Sequence, residues 1–271
     1  MLSLWNQTGE GANAVQGVMR DMLQDDPYEV DKTFGASDWI MTLEGTKEGE
    51  TLEWKTSSVE DYYSIDPECQ KRAHDFIRRN AESGTPFYAA YWPNMVSFIP
   101  MPDKSTVARG VLAEGFTTFV DPFLGNLMDQ LNELGIAENT LVVAHADNGP
   151  MVHDPPPGLG MNETVFRGGK SDYWEGGIRV AAFAWWPGMI EAGSIVGDMF
   201  HEVDLYTTFA RLAGATEHIP TDRVVDGVDQ TALLLKGDTN GRRDYNFVYT
   251  GNILAASTKG RFKRIWVGDH P

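Results

Sequence analysis

Thr140-Leu141-Val142-Val143-Ala144 runs without a break into His145-Ala146-Asp147-Asn148-Gly149-Pro150. The first five residues follow a short Ala137-Glu138-Asn139 turn and are apolar or β-branched, which reads as a buried parallel strand. The next six are polar, Gly and Pro, the composition of a turn at a strand's C-terminal end. Immediately upstream, Phe116, Phe119, Val120, Phe123, Leu124, Leu127, Met128, Leu131 and Leu134 fall on one stripe at steps of three and four, which predicts an amphipathic helix over residues 116–134. Pro122 either kinks that helix or marks a boundary after Asp121, because it lacks an N–H and crowds the preceding turn. Gly135 supplies the stop.

Working outward, Phe87-Tyr88-Ala89-Ala90-Tyr91-Trp92 lies between Ser83-Gly84-Thr85-Pro86 and Pro93 and reads as a second buried strand. Before it, Asp66-Pro67 resembles an N-cap with proline in the first turn, and Cys69, Ala73, Phe76 and Ile77 recur at helical spacing, giving a helix over residues 66–80. Downstream, 180–186 is another apolar run closed by Pro187-Gly188, and a helix over 203–213 ends at Gly214. Asn246-Phe247-Val248-Tyr249 and residues 261–267 suggest short strands of a small C-terminal element. Residues 1–50 show a short helix near 14–23 and no strand alternation. Alternating strands and helices predict an α/β sheet flanked by helices.

The chain has 271 residues, with 22 Lys and Arg against 39 Asp and Glu, a net charge of −17. That field repels phosphate backbones and anionic membrane surfaces, so neither nucleic acid nor membrane is an expected partner. No apolar run approaches the roughly 20 residues of a spanning helix. The single cysteine, Cys69, excludes an internal disulfide framework and a cysteine-rich zinc site. The N-terminal residues lack the basic and apolar regions of a signal peptide, and the compartment stays open.

Two segments carry chemistry. Asp147 and Asn148, at the strand's C-terminal end, offer oxygen donors suited to Ca²⁺ or Mg²⁺, though two ligands fall short of the about six to eight that Ca²⁺ takes. An ordinary Asx turn explains the same residues. In Arg167-Gly168-Gly169-Lys170-Ser171-Asp172-Tyr173-Trp174-Glu175-Gly176-Gly177-Ile178-Arg179-Val180, Gly pairs let backbone approach a ligand and Lys170 offers a point charge to an anion. A solvated loop with a surface lysine fits equally.

Taken together, residues 138–149, 167–180 and Trp186-Pro187-Gly188 resemble, in order, the sulfatase family of the alkaline phosphatase superfamily. His201 to Leu205, Leu212-Ala213-Gly214 and Asp226-Gly227-Val228-Asp229 extend the match over residues 86–235. The resemblance implies Asp147 and Asn148 as metal ligands, Ca²⁺ or Mg²⁺ as cofactor, and Lys170 as the contact to the sulfate of a small-molecule sulfate monoester. Where the family places a histidine after the strand, this chain has Pro93-Asn94, and Asn94 is the candidate substrate contact instead. His145 and His153 are weaker candidates. The family's nucleophile is a formylglycine made in Cys/Ser-x-Pro/Ala-x-Arg, which we do not find; Cys69-Gln70-Lys71-Arg72-Ala73 does not match. Its paired opening aspartates are not found either, since Asp25-Asp26 follows no buried strand.

The resemblance therefore implies an alkaline phosphatase/sulfatase-like α/β domain over residues 1–235, incomplete at its N-terminal side, and the start of a small subdomain over 236–271. Missing central strands predict exposed edges and self-association. The favoured activity is sulfuric ester hydrolysis of the arylsulfatase type, with catalysis itself in doubt for lack of a nucleophile. The alternatives are a phosphate or phosphonate ester hydrolase and a non-catalytic remnant that binds an anion or a partner. Family members are often periplasmic or secreted.

Overall fold

A computed structural model describes residues 41–45, 51–55, 59–93, 120–150 and 165–266. The expectations for residues 14–23, Asp25-Asp26, Asn94, 116–119 and His153 lie outside them. The chain forms two compact units, Met1–Ile136 with Met151–Glu163, and Ala137–Pro150 with Thr164–Pro271. No helix among the described residues is long and apolar enough to cross a membrane.

In the first unit, β1 (Met41–Gly45) pairs antiparallel with β2 (Thr51–Lys55), from Met41↔Lys55 to Gly45↔Thr51. This corrects the expectation of no strand before residue 50. Each strand has only two apolar residues in alternation, too short a pattern to stand out among the Gly, Glu and Thr around it. Helix α1 runs Val59–Glu82, with Pro67 inside it. Asp66-Pro67 is therefore no N-cap. Pro67 is exposed, so its ring meets solvent and one backbone bond is lost, while Asp66 is fully buried. The helix ends on Gly84 in the left-handed region at φ 65°, with the Thr85 N–H donating to Asn80 O at 2.9 Å.

Helix α2 (Asp121–Glu133) has Pro122 in its first turn, so that proline marks a start and not a kink. It packs on α1 through a polar clasp: the buried Gln130 amide meets His74 Nδ1 at 2.6 Å through its oxygen and donates to His74 O at 2.9 Å. Phe123 receives His74 and Tyr91 rings at 5.3 and 4.5 Å, and Leu131 is 1% exposed. Phe87–Trp92 forms no strand among the described residues. Phe87 and Tyr91 turn toward Phe76 and Phe123, while Tyr88 and Trp92 stay exposed. An apolar run bounded by prolines reads alike whether it is a paired strand or an extended connection against helices.

The second unit opens with β3 (Val142–His145), then the single-turn helix α3 (Glu175–Ile178) and β4 (Ala182–Trp185). β3 and β4 pair antiparallel, from Val142↔Trp185 to His145↔Ala182, which corrects the parallel reading. A parallel crossover needs a long connection, usually helical; the described part of this one holds only α3. The Trp186 indole donates to Glu138 O at 2.8 Å and fixes the far end. Then come α4 (Asp204–Leu212), α5 (Thr231–Lys236) and the antiparallel meander β5 (Tyr245–Thr250), β6 (Ile253–Lys259), β7 (Phe262–Ile265).

Two buried polar hubs hold this unit. The Asp204 carboxylate accepts both arms of Arg243, at 2.8 and 2.6 Å, and the backbone N–H groups of His201 and Val228. Gln230, also fully buried, donates to Met199 O at 3.1 Å and accepts the Arg242 N–H at 2.9 Å, while its own N–H reaches Thr208 Oγ1 at 3.0 Å. Buried polar groups satisfied this completely fix the loops around α4 instead of destabilising them.

Candidate functional site

Strand β3 delivers Ala146, whose N–H continues the ladder to Ala181 O at 3.1 Å, and the chain then turns through Asp147 and Asn148. Asp147 is exposed and Asn148 half-buried. The Asn148 amide NH₂ donates to Gly149 O at 2.8 Å, which leaves its oxygen outside that bond. His145 is exposed, with Nδ1 2.9 Å from Ala146 O.

Gly149 is the joint between this turn and the Lys170 loop. Its N–H donates to Gly177 O at 2.9 Å, and the Lys170 N–H donates to Pro150 O at 2.7 Å. A Cβ on Gly149 would overlap the Gly176 carbonyl, one on Gly176 the Gly168 carbonyl, and one on Gly177 the carbonyls of Gly169 and Asp172. Gly149, Gly176 and Gly177 thus sit where backbone packs against backbone, while a Cβ on Gly168 would meet the Asp172 carboxylate. That geometry brings Asp147, Asn148 and Lys170 into adjoining turns of one unit.

The Lys170 loop is further braced. The Gly169 N–H donates to the buried Asp172 carboxylate at 2.9 Å, and the Gly176 N–H to Arg167 O at 2.8 Å. The Arg167 guanidinium stacks 3.8 Å above Trp174. Tyr173 and Trp174 pack on Ala255 and Ala256 of β6, and Lys263 of β7 reaches Glu175 at 2.8 Å. Half-buried Lys170 is flanked by Gly168 at φ 80° and Ser171 at φ 73°. Ser171 is a non-glycine residue in the left-handed region, a strained geometry that concentrates at functional positions. No sequence signal distinguishes Ser171 from an ordinary loop serine.

Among the described residues, no three His, Cys, Asp or Glu side chains gather to hold a metal. The Asp147 carboxylate and the Asn148 carboxamide nonetheless fit a hard dication in kind, as two adjacent oxygen donors.

The sulfatase family model matches residues 112–215, which include all of these turns. The chain belongs to the sulfatase family. It is 32% identical over 204 residues to steryl-sulfatase of Rattus norvegicus, covering 74% of this chain and 35% of that one. It is 36% identical over 197 residues to N-acetylgalactosamine-6-sulfatase of Canis lupus familiaris, covering 71% and 36%. The PsFucS1 sulfatase of Pseudoalteromonas sp. superposes with a TM-score of 0.71 at 30% identity, over 82% of this chain and 44% of that one. The chain thus spans about a third of the length of the curated relatives it matches. Its fold is that of the alkaline phosphatase-like sulfatases.

Cys69 of this sulfatase chain lies within α1 and is half-buried. Burial, and then the negative charge of Asp66, push its thiol up to about 11. A thiol so disposed is inert at neutral pH. Alkylation of Cys69 by iodoacetamide at pH 8 is expected to run at least about tenfold slower than that of free cysteine; labelling at the free-thiol rate would contradict this placement.

Proposed function

We propose that this chain carries the cation- and sulfate-binding machinery of a sulfuric ester hydrolase acting on a sulfate monoester. The observation that supports it is the joint at Gly149 and Pro150, where backbone bonds to Gly177 and from Lys170 hold the turn of Asp147 and Asn148 against the Lys170 loop. Asp147 Oδ and Asn148 Oδ1 would hold the metal, Ca²⁺ or Mg²⁺. A dication there neutralises charge on the non-bridging sulfate oxygens. Lys170 binds the same group from its own turn and opposes the charge that builds up as the ester bond breaks. The braced loop holds the lysine in place before the sulfate arrives, so little reorganisation is needed. The relatives' names refer to steryl and N-acetylgalactosamine-6 sulfates; what is carried over is the sulfate ester, not the alcohol. Cys69 is not assigned as the precursor of the family's formylglycine.

Calorimetric titration with Ca²⁺, then with inorganic sulfate, followed by an aryl sulfate assay, tests this reading. Asp147→Ala is expected to weaken Ca²⁺ binding at least about tenfold, and Lys170→Ala to weaken sulfate binding roughly 10- to 100-fold, as for the loss of a charge-assisted contact. Binding without turnover would retain the cation and anion site and remove hydrolysis. Binding unaffected by either substitution would remove the site.

A further inference from the structure

Lys170 stands second in a four-residue turn whose two ends are tied together twice. The Asp172 N–H donates to Gly169 O at 2.9 Å, and the Gly169 N–H donates back to Asp172 Oδ2, also at 2.9 Å. Lys170 and Ser171 are held between these two bonds. The clasp is out of water: Asp172 is 5% exposed and Gly169 is buried with it. The preceding residue makes room for it, since a Cβ on Gly168 would overlap Asp172 Oδ2 and crowd Trp174 Cβ.

The third residue of the turn is in the left-handed region, a place usually taken by glycine or asparagine. Here it is Ser171, at φ 73°. A side chain persists in that region where its surroundings over-determine it. Two sets of bonds do so: the Asp172 clasp, and the Lys170 N–H bond to Pro150 O at 2.7 Å. Glycine at 171 would adopt the same φ without strain, but others as readily, and would leave the lysine free to swing. We propose that Asp172 is the positioning residue of Lys170, its carboxylate fixing the turn so that the ammonium is aimed before an anion arrives. The charge of Asp172 works against that anion, because a negative group two residues from an anion contact repels what the contact attracts. What Asp172 contributes is therefore position. The step from an aimed lysine to sulfate rests on the reading of Lys170 given above; the clasp itself does not.

Calorimetric titration of the full chain with inorganic sulfate tests the proposal, with hydrogen exchange at the Lys170 amide as a readout independent of the anion. Asp172→Ala is expected to weaken sulfate binding about tenfold, as loss of a residue that orients a ligand contact does. Ca²⁺ binding is expected to stay unchanged and the Lys170 amide to exchange faster. Asp172→Asn keeps an oxygen acceptor and drops the charge, so it is expected to bind sulfate at least as tightly as the parent. In Lys170→Ala/Asp172→Ala, sulfate affinity is expected to equal that of Lys170→Ala, because Asp172 acts through the lysine. Asp172→Ala also leaves the buried Gly169 N–H without this acceptor and lowers stability. Ser171→Gly/Asp172→Ala relieves the left-handed residue, so thermal melts are expected to recover while sulfate affinity stays low. Affinity that returns with stability would make Asp172 a structural residue only and overturn the proposal. Sulfate affinity unmoved by Asp172→Ala, a parallel loss of Ca²⁺ binding, equal losses in the alanine and asparagine variants, losses additive with Lys170→Ala, or unchanged amide exchange overturn it too. Sulfate affinity unmoved by Lys170→Ala refutes the sulfate reading of that lysine alone; exchange at the Lys170 amide then decides the clasp.

Discussion

Asp204→Ala is expected to lower the free energy of unfolding by about 3–5 kcal/mol, read from urea denaturation. Asp204 is fully buried and the Arg243 side chain 5% exposed, so removing the carboxylate strands a guanidinium with no water to replace it. Three backbone segments lose their common anchor at once. The His201 N–H starts α4, the Val228 N–H follows the Asp226-Gly227 turn, and Arg243 also donates to Asp226 O at 2.8 Å before β5. Removing both partners is a different experiment. An Asp204→Leu/Arg243→Met chain leaves no stranded charge and is expected to be more stable than Asp204→Ala, the deficit that remains reporting the backbone N–H groups left unmet. Equal stability of Asp204→Ala and the parent would contradict the anchoring role.

The same carboxylate sets an acid limit. Burial alone would raise its pKa, but the Arg243 hydrogen bonds, with those from Val228 and His201, outweigh burial and hold it below the usual carboxylate range. A group whose folded pKa lies below its unfolded value of about 3.9 stabilises the fold above that pH and loses this contribution as pH falls through the folded value. Stability should therefore decline below about pH 4, and Asp204→Asn should flatten that decline. An unchanged acid limb in Asp204→Asn would assign it to other carboxylates.

Periodicity made some of this fold readable and left the rest hidden for identifiable reasons. Helices α2 and α4 were visible because their apolar stripes are bounded by Pro122 and by Gly135 or Gly214. Strands β5 and β7 showed through aromatic and β-branched residues. The strand between them did not, because its centre is Ala255-Ala256-Ser257-Thr258, small residues that suit a crowded interior and carry little strand signal. Direction of pairing is invisible in β3, since a short apolar run looks the same parallel or antiparallel, and in the structure only Val142 of it is buried. The Asp204–Arg243 pair spans 39 residues and no local pattern announces it. At the site, residue types pointed to Asp147, Asn148 and Lys170, and the structure sets their turns side by side. The glycines are ambiguous in sequence, because a Gly pair is equally the mark of a ligand cradle and of two backbones in contact, and the second is what Gly149, Gly176 and Gly177 display.

That ambiguity makes one substitution informative at two positions. Gly149→Ala and Gly125→Ala each add a single methyl group, yet opposite effects are expected. Gly125 lies exposed in α2 with nothing within 4 Å of its would-be Cβ, so alanine should stabilise the chain by about 0.5–1 kcal/mol by removing unfolded-state freedom. At Gly149 the methyl group would overlap the Gly176 carbonyl, a backbone atom with no side-chain freedom to yield. The turn must move, and the Gly149–Gly177 and Lys170–Pro150 bonds must lengthen with it. A loss of about 1–3 kcal/mol is expected, typical of overpacking, together with faster hydrogen exchange at the Gly149 and Lys170 amides. If Asp147, Asn148 and Lys170 act as one site, Ca²⁺ and sulfate affinity fall together in Gly149→Ala, although no liganding side chain has changed. Loss of one affinity with the other intact would mean that the two turns bind independently, and stability equal to the parent would mean that the backbone contact yields at no cost.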